Sequence, residues 1–433
     1  MTPAARISAA IEVLSDVEAR RRPAPDVLKD WGLSHRFAGS GDRAAIAGLV
    51  YDALRRRASS AFVMGEAVPR AVMLGMLRLE RELPVEAIAK LFDGSRFAPQ
   101  PLTGNESARL ETASLENAPS EIAGDYPEWL DASLASVFGE ARAEEGAALA
   151  ARAPLDLRVN LLKSDREAAA EELAEYNPEP TGWSPWGLRI RVAPGGKSPA
   201  VQSDPVFIKG DIEIQDEGSQ IAALLSGAAP GEQVVDLCAG GGGKTLALAA
   251  MMHNKGQIFA TDSDKRRLAP IHARLERAGA RDVQVRTPRG AAETLDDLMG
   301  AIDLVLIDAP CTGTGSWRRN PDAKWRLRPG ALDQRRKDQA AVLDRAVPLV
   351  KPGGRITYVT CSVLDEENGA QIRDFLGRHG EFSVEKPEAA TRALGERGYL
   401  FGKAALLSET GLLMTPRRTG TDGFFVSILR RTG

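Results

Sequence analysis

From residue 216 onward the chain alternates helical and extended patterns, and this constrains its fold more than any other feature. Apolar spacing predicts helices over 218–225, 244–252, 265–278 and 329–350, and strands over 233–237, 257–261, 283–285, 303–307 and 355–360. Strands separated by helices of this length predict an α/β fold built on a doubly wound, mainly parallel sheet. Such sheets bind ligands beyond the carboxyl ends of their strands, so the residues just past each strand are where chemistry is to be sought. A last apolar run, 423–429, has no helix after it and reads as an antiparallel edge strand.

The first half is organised differently. Ile7, Ile11 and Leu14, then Ile46, Leu49, Val50, Ala53 and Leu54, then Val72, Met76, Leu79 and Leu83 recur at helical spacing, so residues 7–93 read as all-helical. Residues 97–127 are rich in Pro, Ser, Asn and Thr, with Pro99, Pro101, Pro119 and Pro127 as breakers, and read as a linker with a short helix or two and a boundary nearby. Strands at 155–159 and 187–192 around a helix at 166–176 predict a small α+β module. The expected domains are therefore 1–140, 141–215 and 216–433, in keeping with 433 residues at about 100–200 per domain.

Composition excludes several classes. No run of about 18 apolar residues occurs and the first residues lack the apolar core of a signal peptide, so a cytoplasmic protein with no membrane span is expected. Three cysteines are too few for a disulfide framework and none stands at metal-ligand spacing with another or with the four histidines, so reduced thiols and no metal are expected. A net charge of -3 argues against nucleic-acid binding by bulk electrostatics. Local clusters exist, at Arg55, Arg56 and Arg57, at Arg318, Arg319, Lys324, Arg326 and Arg328, and at Arg335, Arg336 and Lys337; they could meet phosphates if they shared a face, or be solvated helix faces.

All three cysteines stand where strands of the predicted sheet end. The first strand runs into Cys238-Ala239-Gly240-Gly241-Gly242-Gly243-Lys244-Thr245 and then a helix. Glycines there let backbone approach a ligand closely. A phosphate-binding P-loop would need Gly where Cys238 stands, and a dinucleotide fingerprint would need Gly where Thr245 stands. The adenosyl-methionine type of loop is left, beside the plain alternative of a tight structural turn. Asp262, 26 residues after Asp236, ends the next strand where nucleotide folds place an acid for the ribose hydroxyls, although a helix N-cap would use the same residue type.

The strand at 303–307 delivers Asp308-Ala309-Pro310-Cys311-Thr312-Gly313, and the strand at 355–360 delivers Thr360-Cys361-Ser362. Adjacent strand ends would bring both thiols to one ligand; otherwise they are small buried hydrophobes. A thiol beside an adenosyl-methionine site has a specific use. Carbon 5 of a pyrimidine is a poor nucleophile until a thiolate adds to carbon 6, and a carboxylate such as Asp308 can then hydrogen-bond the ring edge of a flipped base.

These phrases resemble the Sun/Fmu (RsmB/Nop2) family of RNA cytosine-C5 methyltransferases over nearly the whole chain. The resemblance implies a Rossmann-like catalytic domain using S-adenosyl-methionine, with Cys361 as nucleophile, Cys311 promoting product release, and Cys238, Ala239, Gly240, Gly241, Gly242, Gly243, Lys244, Asp262 and Asp308 around cofactor and target. Gln215-Asp216-Glu217-Gly218-Ser219 resembles the opening of the family's catalytic domain, 154–160 its RNA-contacting module, and 319–325 its post-catalytic loop. The N-terminal helices, with Asp42-Arg43 and 49–55, are similar to the NusB-like RNA-binding domain of the bacterial ribosomal RNA members, which implies small-subunit ribosomal RNA as partner, rather than transfer RNA or a purely non-catalytic assembly role, and monomer as the default state. Two departures stand out. Gly240 and Gly241 replace a small residue and a proline, which should loosen the loop, and residues 285–290 offer no acid where the family carries one near the cofactor's adenine, leaving either Thr287 as a substitute or a low cofactor affinity.

Overall fold

The computed structural model describes residues 1–192, 199–288 and 295–433. They form two compact units, one of Met1–Ala153 with Trp317–Leu327, and one of Pro154–Arg191 with residues 199–316 and Arg328–Gly433.

In the first unit the helices Pro3–Arg20, Ser40–Arg55, Arg57–Met64 and Pro69–Leu79 enclose a core that includes Ala10, Ile46, Val50, Met73, Leu74 and Met76. Thr2 caps the first helix by accepting from the Ala5 amide, and Pro3 supplies the fixed φ of a first helical turn. Residues 97–127 are part of this unit rather than a linker. Thr103 and Glu106 form a capping box that starts the helix Gly104–Glu111, whose Leu110 is fully buried in the core. Buried Asp125 accepts from the amides of Ala58 (2.9 Å) and Ser59 (3.0 Å) and from the Ser59 hydroxyl (2.6 Å). The polar composition that looks like a linker is used for caps and internal hydrogen bonds. The helix Arg142–Ala150 also belongs here, so the units part at Ala153 and Pro154 rather than at residue 140.

Several members of the basic clusters of this unit are tied up within it. Arg55 is buried and donates to the carbonyls of Ala151 and Arg318, Arg56 pairs with Glu80, and Arg57 with Glu18. Lys324, only 1% exposed, donates to the carbonyls of Arg55 (2.8 Å) and Asp125 (2.7 Å), and burial pulls its ammonium down to about 7. The Trp325 indole donates to the Leu54 carbonyl at 2.6 Å.

The second unit holds two sheets. In the small one, β1 (Leu155–Val159), β2 (Glu179–Pro180), β3 (Gly187–Ile190) and β4 (Ile212–Ile214) are ordered β2-β3-β1-β4, all antiparallel. Three polar side chains of β1 and its exit turn inward. Asp156 pairs with Arg189, Arg158 reaches Gly243, Asn160 donates to the carbonyls of Gly210 and Ala278, and all three are buried.

The large sheet contains β5 (Gln233–Asp236), β6 (Gln257–Ala260), β7 (Val283–Val285), β8 (Ile302–Asp308), β9 (Val350–Thr360), β10 (Phe382–Val384), β11 (Leu406–Ser408), β12 (Gly411–Met414) and β13 (Phe424–Arg431). Its order is β11-β12-β13-β9-β8-β5-β6-β7, with β10 also paired to β13. Strands β5 to β9 are parallel, and their apolar runs, such as Leu304, Val305, Leu306 and Ile307, are buried on both faces as this arrangement requires. β13 is antiparallel to β9 as expected, but β12 covers its other side, so it is not an edge. The helix expected over 265–278 is two helices, Lys265–Leu268 and Ile271–Ala278, because Pro270 cannot donate to the ladder. The strand order reverses direction between β5 and β8, so the crevice for a ligand opens there.

Candidate active site

The turn after β5 is shaped by two left-handed glycines. Gly242 (φ 85°) donates from its amide to the Ala239 carbonyl at 2.8 Å and sits at the start of the helix Gly243–Met251. A Cβ there would lie 2.5 Å from Ile271 Cγ1, so glycine is required by φ and by space. Gly240 (φ 50°) donates to Asp262 Oδ2 at 2.9 Å. Asp262 is therefore not the cap of the following helix. Asp264 is, accepting from Arg266, while Asp262 braces the glycine turn and accepts from the Asp264 amide.

Asp236, the last residue of β5, is buried beneath this turn. Thr245 donates to its Oδ2 at 2.7 Å, and its Oδ1 accepts no hydrogen bond among the described residues. Burial raises this carboxyl to about 7, with Thr245 opposing and Asp308 and Asp262 adding to the rise. Burial and the same three acids push the Cys238 thiol up, so it stays protonated and is a poor nucleophile. Lys244 Nζ lies 2.7 Å from Asp308 Oδ2, joining the turn after β5 to the end of β8, and 5.3 Å from the centre of the Phe424 ring.

The two remaining cysteines meet. Asp308 pairs in register with Val359, which sets the exits of β8 and β9 side by side, and Cys311 Sγ lies 3.3 Å from Cys361 Sγ, both as free thiols. Cys311 is held well above the usual thiol range, first by its hydrogen bond to Cys361 and then by burial. Buried Glu367 fixes the loop that carries Cys311: it accepts from the Thr312 amide (2.8 Å), the Thr312 hydroxyl and the Gln339 amide (3.0 Å), while Gln339 also donates to the Pro310 carbonyl (2.9 Å). The Gly315 amide donates to the Cys361 carbonyl at 2.9 Å, and its own carbonyl accepts from Gly423 at 2.8 Å. A Cβ on Gly315 would collide with that backbone.

The structure thus gathers Cys238 to Lys244, Asp262, Asp308, Cys311 and Cys361 at neighbouring strand ends. Sequence reasoning missed Asp236, Glu367 and Gln339. Asp236 had a visible signal, as the acid closing the strand before the glycines, whereas Glu367 and Gln339 reach the site from helical segments with none. After β7, Arg286 pairs with Asp297 (2.9 Å) and Thr287 is exposed; Arg289 and Gly290 lie outside the described residues. Among the described residues no group of three or more His, Cys, Asp or Glu side chains could hold a metal ion, and no single helix is long and apolar enough to cross a membrane.

A ligand with an ammonium group and ribose hydroxyls fits this set of groups: close glycine backbone, an unpartnered buried oxygen on Asp236, and the carboxylates of Asp262 and Asp308. Residues 223–430 match the family described as 16S rRNA methyltransferase RsmB/F, and residues 126–194 its ferredoxin-like domain. The chain is 33% identical over 309 residues to a probable ribosomal RNA small subunit methyltransferase B of Synechocystis, covering 71% of this chain and 67% of the relative. It is 30% identical over 420 residues to ribosomal RNA small subunit methyltransferase B of Erwinia tasmaniensis, covering 92% of both. It resembles the crystal structure of PH0851 with TM-score 0.71 and 26% identity over 100% of this chain and 99% of the other. The chain belongs to the RsmB/F family of methyltransferases, with a Rossmann-like catalytic fold and S-adenosyl-methionine as its cofactor.

Proposed function

We propose that this protein methylates carbon 5 of a cytosine in small-subunit ribosomal RNA through a covalent adduct with Cys361. The observation that carries the reading is the pair of thiols, 3.3 Å apart at the exits of adjacent parallel strands, next to a glycine turn and the Lys244–Asp308 ion pair. The relatives' names supply the ribosomal RNA. A NusB-like role for the helical unit in holding that RNA is part of the same proposal.

S-adenosyl-methionine, when bound over the turn at 238–244, supplies an electrophilic methyl group. The chain's own residues do the rest. Cys361 gives up its thiol proton to solvent, and its sulfur forms a bond to carbon 6 of the flipped cytosine, which makes carbon 5 electron-rich. Asp308, oriented by Lys244, hydrogen-bonds the ring edge and stabilises the charge that develops there. After a base has taken the carbon 5 proton, the sulfur–carbon bond breaks and the electron pair returns to Cys361. The protonated Cys311 thiol, in hydrogen-bond contact with that sulfur, eases its departure.

The test is to express Cys311→Ala, isolate it under denaturing conditions and look for bound RNA, with Cys311→Ala/Cys361→Ala as control. An adduct in the single variant and none in the double is expected, and sequencing the trapped RNA distinguishes ribosomal from transfer RNA. Normal methylation by Cys361→Ala would sink the mechanism, and failure of the wild type to bind cofactor would favour a non-catalytic assembly factor, the alternative raised by the missing acid after β7.

A further inference from the structure

Four consecutive glycines make a backbone that resists being held in one shape, since each gains more freedom in the unfolded chain than any other residue and there is no proline to restrain it. Yet this turn is gripped from behind at two carbonyls. Arg158 Nη1 donates to the Gly243 carbonyl at 2.8 Å, and Arg274 Nη1 to the Gly241 carbonyl at 2.6 Å. The Gly240 amide bound to Asp262 is a third hold.

Both arginines trace back to the small sheet. Arg158 on β1 is directly opposite Glu213 on β4, so the two side chains share one face. Arg158 is buried, and its Nη1 also donates to Gln215 Oε1 at 2.6 Å, where Gln215 is in turn fixed by a hydrogen bond to Ser219. Glu213 holds Arg274 at 3.0 Å and pairs with Arg277, which lies over the Phe207 ring. Asn160, just past β1, donates to the Ala278 carbonyl at 2.8 Å and so ties down the end of the helix that carries Arg274 and Ile271, the residue seated under Gly242.

We infer that Arg158 and Arg274 are positioning residues for the cofactor, and that this face of the small sheet is a bracket holding the tetraglycine turn in its ligand-ready form. The inference rests on the methyltransferase reading and adds a function for a segment whose resemblance implied RNA contact. A buried guanidinium suits the task, because the two hydrogens of Nη1, fixed in the guanidinium plane, hold two acceptors at once and the group stays charged. The turn is then ordered before the ligand arrives, and binding does not have to supply the ordering. The bracket compensates for the looseness expected of Gly240 and Gly241.

The experiment measures S-adenosyl-homocysteine binding by calorimetry, RNA affinity by fluorescence anisotropy and the melting temperature, for wild type, Arg158→Met, Arg158→Lys and Arg274→Ala. Losing a charged hydrogen bond to the turn is expected to raise the S-adenosyl-homocysteine Kd about tenfold in Arg158→Met, with RNA affinity changed less than about twofold. Arg158→Lys should recover only part of this, because a flexible ammonium does not hold its donors in the fixed plane of the guanidinium. In steady state the KM for S-adenosyl-methionine should rise more than kcat falls. Cofactor affinity equal to wild type in a folded Arg158→Met protein overturns the inference, as does a parallel loss of cofactor affinity, RNA affinity and melting temperature, which would mark a general packing role. If Arg158→Met does not fold, Arg274→Ala decides, since that side chain is partly exposed: a weaker cofactor at unchanged melting temperature supports the bracket and an unchanged Kd overturns it. A wild type that binds no S-adenosyl-homocysteine overturns the methyltransferase reading with it, an outcome distinct from any confined to the variants.

Discussion

The helical and catalytic units both bury charge, but they finish it differently. In the helical unit Asp125 accepts from two amides and a hydroxyl, which engage both of its oxygens, and Lys324 donates to two carbonyls. In the catalytic unit Asp236 has an oxygen with no partner among the described residues, and Asp308, paired with Lys244, is still 37% exposed. A buried charge whose hydrogen bonds are complete is a fastener; one with unused capacity, at the place where a sheet reverses its winding, is a site.

The strongest way to break this comparison is Asp125→Ala. It should destabilise the helical unit by roughly 3–5 kcal/mol, the range for removing one partner of a buried charge pair. Thermal unfolding checks it, and a loss under about 1 kcal/mol would mean that the network is not a fastener. Lys244→Met should do the opposite, lowering methylation about 100-fold or more by loss of the charge that orients Asp308, with little change in the melting temperature. Equal loss of stability and activity would erase the distinction between the units. Gly242→Ala tests the turn by itself. The left-handed φ and the contact with Ile271 should together cost about 2 kcal/mol and weaken S-adenosyl-homocysteine binding, read by denaturant titration and calorimetry.

The last test is a pH slope, modest at any one pH step. The Lys324 ammonium is at about 7 in the folded chain against its ordinary 10.5, facing Asp125, Arg55 and Arg56. Between those values the unfolded chain holds the proton and the folded chain does not, so this group makes stability rise with pH across that window, by at most ~1.4 kcal/mol per pH unit. The penalty is complete below about pH 7 and gone above 10.5. Wild type and Lys324→Met melted at intervals from pH 7 to 10 should converge on this schedule; parallel curves would show that Lys324 does not titrate there.

Legibility in the sequence followed the range of the interactions. β5, β6, β8 and β9 were readable because parallel strands buried on both faces give near-continuous apolar runs, and the glycine turn and both catalytic-type thiols because each sits within a few residues of its strand. The interior place of β13 was hidden because its cover, β11 and β12, has only three and four residues, too short to show alternation. Residues 97–127 misled because Asp125 and Glu106 find their partners 66 and 36 residues away, Ser59 and Arg70, and look like solvent-facing acids until folded. Arg158 was unreadable as a support of the turn, 85 residues from the carbonyl it holds, and Glu367, in a run of three acids after β9, looked like surface.

The membership of Trp317–Leu327 in the helical unit bears on how the protein is made. Fully buried Trp317 and Lys324, with Trp325 against the core, complete a unit built mainly from Met1–Ala153. During synthesis the first 153 residues leave the ribosome early, but the carbonyls of Arg55 and Asp125 have no ammonium to cap them until Leu327 has emerged, after β1 to β8. The N-terminal unit is therefore the first to begin translation but cannot finish folding until β1 to β8 of the other unit have also emerged, and a gene fragment that stops at Ala153 would encode it with its socket empty.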